Sequence, residues 1–430
     1  MKLKSPMPYS QKTSVFILSL IELFERFSYY GMRSIIVLFA INRLDIDDLD
    51  AISLYGSFSF FIFIIPLPAG IISDVFFKQK QGVLLGGILS LLGYSLLITE
   101  QMYSIGIGLI LIGIGTGFVK PNLTVLVGRL FEKTDKNRGF GFMFYYFMIN
   151  VGAFLSALLV GVLADKYGYR YGFIATAIST FIFLILFYLT KDRLQLIEKN
   201  VEERCIETNN LDDTVLDIEL TQNKKFDPNP HILIFMLIFI ITFFYQIFDV
   251  ISNKIHSILA AIESSISEST FTQLNTYTFQ IFNSSILLAI TIIFYIVWYF
   301  RGLGSTISKI SIAVILMGIA SLIIGNFTPS TDENLNSILG LTVVIYTIAE
   351  VLISPFVLSY ITRLSDVRFS STMIGSFMFI IGMGSRMLSQ YHGGSSSFSL
   401  LTTFATISII IGLLLILFRK KILKMSGGLD

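Results

Sequence analysis

Long apolar runs separated by short polar breaks recur along all 430 residues of the chain. A helix crossing the hydrocarbon core of a bilayer takes about 20 apolar residues. Read against their polar flanks, the runs predict helices near 13–42, 50–77, 82–100, 104–131, 138–165 and 169–191. A second set is predicted near 231–262, 270–300, 305–327, 335–366, 369–391 and 396–419, which makes about twelve spans in an all-α membrane protein. One polar stretch, 192–229, breaks the pattern. It divides the chain into an N-terminal six-helix bundle over 1–191 and a C-terminal one over 230–430. Rich in Asp, Glu, Asn and Lys, the stretch reads as a solvated tether, with room for a short surface helix over Leu211–Leu220.

Composition agrees with the bilayer as solvent. Hydrophobic residues make up 54% and charged residues only 14%, with a mean hydropathy of +0.76, more apolar surface than a soluble domain can bury. The net charge of +2 gives no case for nucleic acid, so the placement of charges carries the information. Lys2, Lys4, Lys12, Lys78, Lys80, Lys133, Lys136, Arg138, Arg363, Arg368, Arg419, Lys420 and Lys421 collect on one side of the predicted spans. The other side holds Arg43, Lys166 and Arg170 with acidic stretches such as Asp45–Asp50 and Glu263–Glu268, so both termini and the tether are expected to face the cytoplasm. MKLKSPMPYSQK leads into the first span with no small-residue cleavage site after it, so that segment is expected to be retained, in a bacterial inner membrane or an equivalent plasma membrane. Cys205 is the one cysteine and makes no internal disulfide. Two bundles joined by a tether resemble the build of major facilitator transporters, in which substrate sits midway between the halves.

The first helix departs from its apolar surroundings. It reads ELFERFSYYGMR from Glu22, and at 100° per residue Glu22, Glu25, Arg26, Tyr29, Tyr30 and Arg33 fall within roughly 140° of one another. An ion at mid-bilayer costs about 2.5–3.5 kcal/mol on insertion scales, so this face must meet water or neutralise itself. Spacings of three and four allow Glu22, Glu25 and Arg26 to pair as a structural cluster, but they leave Arg33 over. Lys120 lies deep in the fourth helix, too far from the loop at Lys133 to reach the interface along its side chain. The neighbouring Pro121 is expected to break that helix's hydrogen-bond ladder, while Gly113, Gly115 and Gly117 read as packing glycines. Glu350, in the tenth helix before Ser354 and Pro355, has no cation within a turn and needs a partner from another helix.

These residues carry a resemblance. Glu22, Glu25, Arg26, Phe27, Tyr29, Tyr30 and Gly31 match the ExxERFxYYG signature of the proton-dependent oligopeptide transporters, a branch of the major facilitator superfamily. The chain is similar to that family at further places: GIGTGFVKPN around Lys120, FYYFMINVGAF around Asn150, AEVLISPFVLS around Glu350, and the small-residue turn Thr372–Gly375. The resemblance implies that Lys120 and Glu350 face each other across the bundles, that Asp249 pairs with Arg33 when the site closes, and that Asn150 and Asn275 contact the peptide backbone. Each asparagine reads equally well as helix packing. Gly70, Asp74, Lys78 and Lys80 resemble a degraded form of the superfamily's loop between helices two and three, a cytoplasmic gate latch. Three places depart from the family. Phe63 stands where a tyrosine is frequent, Phe377 where a tryptophan is frequent, and the residues after Asp249 differ from its usual pattern.

The expected activity is proton-coupled symport of di- and tripeptides by alternating access. Arg33 with Lys120 would take the peptide carboxylate, and Glu350 with Asn150 its ammonium. Glu22, Glu25 and Arg26, with Lys120 and Glu350, would couple protons. Tyr29, Tyr30, Phe63, Ser354 and Phe377 would line the pocket, and Asp249 would gate it. The expected partners are peptides, protons and the lipid bilayer, with the protein acting as a monomer and without a cofactor. His231, His256 and His392 do not cluster and are given no role, and no HExxH, GxSxG, paired CxxC or P-loop pattern points to metal, covalent or ATP chemistry. A transporter of the same fold for nitrate or a peptide-like drug, and a nutrient sensor that does not transport, stay open as alternatives.

Overall fold

Ser10 starts the first helix: its hydroxyl accepts the Thr13 amide at 3.2 Å, supplying one of the donors that a helix N-terminus leaves unpaired. The resulting helix α1, Gln11–Leu44, runs for 34 residues, roughly 51 Å at 1.5 Å per residue. It ends where Asp45 turns to φ 52° and the Ile46 amide bonds back to the Ala40 carbonyl at 3.2 Å. The computed structural model describes residues 9–194, 229–264, 285–297, 305–325, 335–389 and 397–426, and among these the regular structure is helical, without strands. Asn275, Cys205, His392 and most of the tether lie outside the described residues.

α2 (Asp48–Ile64) and α3 (Pro66–Phe76) are two pieces of one 29-residue span, parted where Pro66 begins a new first turn. α4 (Gln79–Leu97), α5 (Met102–Gly128), α6 (Arg138–Tyr167) and α7 (Tyr169–Thr190) complete the first half. The second half comprises α8 (Asn229–Ser264), α9 (Ser285–Val297), α10 (Thr306–Gly325), α11 (Leu335–Leu364), α12 (Ser370–Ser389), α13 (Ser397–Leu417) and α14 (Arg419–Met425). Among the described residues, nine helices are long and apolar enough to cross a membrane, or ten if α13 and α14, bent by 69°, form one span. α1 is not one of the nine, because its charges interrupt an otherwise sufficient apolar run.

The expected break at Pro121 does not occur. α5 continues through it to Gly128, so the proline removes one donor without ending the helix. Neighbouring helices brace it there. An added Cβ on Gly113 would run into the Phe61 ring at 2.5 Å, and one on Gly117 into Ile65, so α2 and the α2–α3 junction lie directly on this face of α5.

Each half builds a large apolar core, and the one in the second half also takes in Val125 of α5. Leu18, Val119, Phe142 and Phe183 belong to one cluster in the first half, while Leu233, Phe244, Met317, Val357 and Leu401 belong to a large one in the second. The halves meet along α3 with α12 and along α6 with α11. The first seam is close enough to require small residues: an added Cβ on Gly375 would strike the Pro66 carbonyl, and one on Gly382 the Phe63 side chain.

Hydrogen bonds lock one end of this seam. The Asp74 carboxylate accepts the Thr372 amide at 2.7 Å, the Thr372 hydroxyl at 2.9 Å, the Ser371 amide at 3.3 Å and the Gln79 amide group at 3.1 Å. Ser371 and Thr372 open α12, so the carboxylate meets both the unpaired donors and the positive end of a helix dipole. Beside it, Ser371 donates to Asn122 at 3.0 Å and Asn122 to Ser73 at 2.7 Å.

Four cations at this end donate to backbone carbonyls across the halves. Arg129 reaches Val367 at 3.1 Å, Lys133 reaches Ser365 at 3.2 Å, Arg138 reaches Ser359 at 3.3 Å, and Arg363 reaches Asp135 at 3.4 Å. Arg138, only 2% exposed, also donates to the Gly128 and Phe131 carbonyls at 2.7 and 3.1 Å and to the Thr362 hydroxyl at 2.7 Å. One guanidinium thereby closes the C-terminal end of α5 and ties it to α11.

Asp74→Ala should therefore lower thermal stability in detergent by about 1–3 kcal/mol, the cost of stranding partly buried donors. Asp74→Asn, which keeps one acceptor oxygen, should fall between alanine and the parent. Equal melting of all three proteins would show that the clasp contributes nothing.

Candidate functional site

Glu22, Glu25 and Arg26 are 1%, 4% and 2% exposed, so α1 buries three ionised-type side chains within about one turn. The Arg26 Nε lies 3.2 Å from Glu22 Oε1 and hydrogen-bonds Glu25 as well. Its guanidinium stands 5.2 Å from the centre of the Tyr29 ring, and among the described residues its Nη2 has no hydrogen-bond partner. The second oxygen of Glu22 accepts the Tyr145 hydroxyl at 2.7 Å. Tyr145, itself 1% exposed, brings α6 against this face of α1. Lys120 of α5 adds a second cation, feeling the charges of Arg26, Glu25 and Glu22. Pairing of this kind offsets the cost of burying ions, and removing one partner would leave the others uncompensated.

About two more turns of α1 carry the polar face on from Arg26 to Arg33. Arg33 lies 6.0 Å from the Tyr30 ring centre and 5.8 Å from that of Tyr55 on α2, and Asp249 of α8 is among the groups acting on it electrostatically. Protein surrounds Arg33 closely, yet the side chain keeps accessible surface, as does a residue facing a wetted space inside a bundle. Lys120 and Glu350 combine the same two properties. Tyr29, by contrast, is buried, with its ring set edge-on to Tyr30 at 5.2 Å between centres.

A second polar cluster forms where α6 meets α11. Glu350 accepts the Tyr146 hydroxyl at 2.9 Å, and one turn on Ser354 shares a 2.8 Å hydrogen bond with Tyr245 of α8. Tyr346 packs edge-on against Phe248 at 5.2 Å. Lys120 and Glu350 do not form an ion pair in this conformation: the first belongs to the α1 cluster, and the second is held by Tyr146. Asn150 donates to the Tyr146 carbonyl at 2.9 Å within its own helix. Phe63 covers Gly382 at the seam, and Phe377 is buried in the core of the second half.

Four tyrosines at this site were not singled out from the sequence: Tyr55, Tyr145, Tyr146 and Tyr245. A signal existed for two of them. Consecutive residues on a helix point about 100° apart, so the pair Tyr145–Tyr146, one turn before Asn150, must offer hydroxyls to two different neighbours. Those neighbours are Glu22 of α1 and Glu350 of α11.

Comparison with known proteins gives this arrangement a context. A family model described as the Major Facilitator Superfamily matches residues 18–390. Among curated proteins, the chain is similar to an uncharacterized transporter, YclF, of Bacillus subtilis, with 34% identity over 200 residues covering 45% of this chain and 41% of that protein. It is similar to dipeptide and tripeptide permease A of Escherichia coli at 30% identity, a match that takes in 42% of this chain and 36% of the permease. With the first of these relatives the chain thus shares well under half of their length. The di-/tripeptide transporter of Lactococcus lactis is 24% identical over 483 aligned positions and is matched over 97% of both chains. A solved structure of a peptide transporter POT in complex with sulfate superposes with a TM-score of 0.62 at 22% identity, over 96% of this chain and 95% of that one, and so shares its fold.

Replacing Arg26 by Met should cost about 3–5 kcal/mol, because Glu22 and Glu25 would be left buried without their cation. The combined variant Glu22→Gln, Glu25→Gln, Arg26→Met should recover most of that loss in thermal melts. A triple variant no more stable than Arg26→Met would show that the cluster is not held by charge compensation.

Proposed function

The chain belongs to the Major Facilitator Superfamily, and from that premise we propose that it is a multi-pass membrane transporter that takes up di- and tripeptides together with protons by alternating access. The observation that carries the reading is the set of groups surrounded by protein that still keep accessible surface: cations at Arg33 and Lys120 and an anion at Glu350, contributed by α1, α5 and α11. A zwitterionic peptide has an anionic and a cationic end separated by a few ångströms of backbone, and needs such opposed partners. Names of the relatives point the same way, since two of them are a dipeptide and tripeptide permease and a di-/tripeptide transporter.

In this reading Arg33 and Lys120 take the peptide carboxylate through charge-assisted hydrogen bonds, while Glu350 and Asn150 take the ammonium. Tyr30, Ser354, Phe63 and Phe377 shape the pocket with Tyr29 behind it, and Asn275 has the role of contacting the peptide backbone that the family resemblance implies. The ammonium competes directly with the Tyr146 hydroxyl for Glu350, and that hydrogen bond joins the two halves. Substrate binding therefore acts on a contact that the halves must break to part. Glu22, Glu25 and Arg26 handle the proton, and Asp249 closes on Arg33.

Alternating access requires that peptide and proton favour the same conformations, since equal affinity for all states would shift nothing. The Asp74 end carries most of the basic residues, so it faces the cytoplasm, with both termini and the tether on that side. The clasped seam then makes this conformation one that is shut toward the cytoplasm. The six-helix halves over 1–191 and 230–430 rock about the site, and a single chain suffices.

The test is uptake by proteoliposomes under an inward proton gradient and an inside-negative potential, with dialanine outside. Accumulation above the external concentration is expected, and it should be abolished by a protonophore. Failure with several peptides, alongside accumulation of another solute such as nitrate, would assign the fold to a different substrate. Peptide binding without any uptake would instead mark a sensor. Glu350→Gln is expected to remove concentrative uptake, and uptake at the parent rate would remove Glu350 from the mechanism.

A further inference from the structure

The chain does not stop at the end of its last apolar helix. α13 exposes Leu413, Leu414, Ile416 and Leu417 on its outer face, at 55%, 45%, 48% and 74%, an apolar surface suited to lipid tails. It then bends by 69° at Phe418 into α14, whose sequence is RKKILKM. The bend turns the chain away from the direction of the span immediately after the last lipid-facing leucine. A lipid-facing apolar helix that ends in a basic segment has its end where hydrocarbon gives way to headgroups.

α14 has two unlike faces. Ile422 is 6% exposed and joins the apolar core of the second half with Leu423 against it, and α14 rests on α8. Lys420, Lys421 and Lys424 are all exposed and fall within roughly 100° of one another, on the side away from Ile422. No acidic residue stands on α14 itself. The fold thus anchors one face of a two-turn helix to the protein and points three ammonium groups outward at the membrane surface, on stems long enough to reach phosphates above the tails.

We propose that Arg419–Met425 is an interfacial seat for acidic phospholipid headgroups, bound by Lys420, Lys421 and Lys424. The charge complementarity is direct: three cations with no acid on their own helix meet a leaflet that carries negative lipids. Each lysine held near such a surface favours the anionic lipid by roughly fivefold, an attraction that falls away beyond a Debye length and weakens with salt. The seat depends on the chain lying in a bilayer but not on what it transports.

The full-length protein would be placed in nanodiscs of phosphatidylcholine containing roughly one third phosphatidylglycerol, a mixture that gives the leaflet negative charge. The lipids that stay with it on mild extraction would then be weighed by native mass spectrometry. The wild type should retain phosphatidylglycerol several-fold above its bulk share, and high salt should reduce that excess. The variant Lys420→Gln, Lys421→Gln, Lys424→Gln should lose most of it. The control Lys420→Arg, Lys421→Arg, Lys424→Arg should keep it, because it conserves the charge and replaces only exposed side chains. Equal enrichment in the wild type and the glutamine variant would overturn the proposal, and so would loss in the arginine variant. No enrichment in the wild type would do the same.

Discussion

Ions in the middle of a membrane helix must be neutralised or wetted, and the first half of this protein is organised around meeting that demand at Glu22, Glu25 and Arg26. The three neutralise one another on α1, but only in part, because the Arg26 guanidinium cannot occupy both carboxylates with ideal geometry and still use all its donors. The remainder is supplied from neighbouring helices: a hydroxyl from Tyr145 on α6 and a second cation at Lys120 on α5. Satisfying one stretch of α1 therefore fixes how three helices stand against each other. Arg33, further along the same face, is left outside this compensation, keeps accessible surface and feels the charge of Asp249 from α8 instead.

The contact between the halves follows a different rule. Its cations donate mainly to carbonyl oxygens at the ends of helices, and its carboxylate, Asp74, accepts from amides at the start of α12. A net contribution of about 0.5–1.5 kcal/mol for an ordinary hydrogen bond means that such a seam is held by several modest bonds. Helix-end groups also find water readily when exposed, so separating such contacts strands little. A seam of buried ion pairs would be far harder to reopen, because each separated partner would remain an unpaired charge in an apolar setting. Small residues such as Gly375 and Gly382 bring the backbones close enough for these short contacts without interlocking large side chains.

Much of this was legible from the chain alone. Apolar run length placed α1, α5, α6, α7 and α11 to within a few residues, since the thickness of the bilayer dictates it. The polar face of α1 was visible because a helical period brings Glu22 through Arg33 together. Pro121 misled, because a rule for isolated helices overlooks the bracing that neighbours give in a packed membrane bundle. The tyrosines were missed for another reason. An aromatic residue in a bundle usually packs, and its hydroxyl acquires meaning only when the partner helix is known. Which cation faces which carboxylate is likewise a property of one conformation, and Lys120 stands with the α1 cluster while Glu350 is held by Tyr146.

α6 connects these two regimes. Its adjacent tyrosines hold Glu22 within the first half and Glu350 across the boundary to the second. A rigid helix cannot rotate to improve one of these bonds without disturbing the other, as the two hydroxyls leave the axis about 100° apart at nearly the same height. The buried α1 cluster and the inter-half contact therefore share one helix, even though no ion pair joins them. A link of this kind needs no chain of intermediates. It requires only that one stiff element make a hydrogen bond to each of two sites, and the sequence writes that element as two consecutive tyrosines.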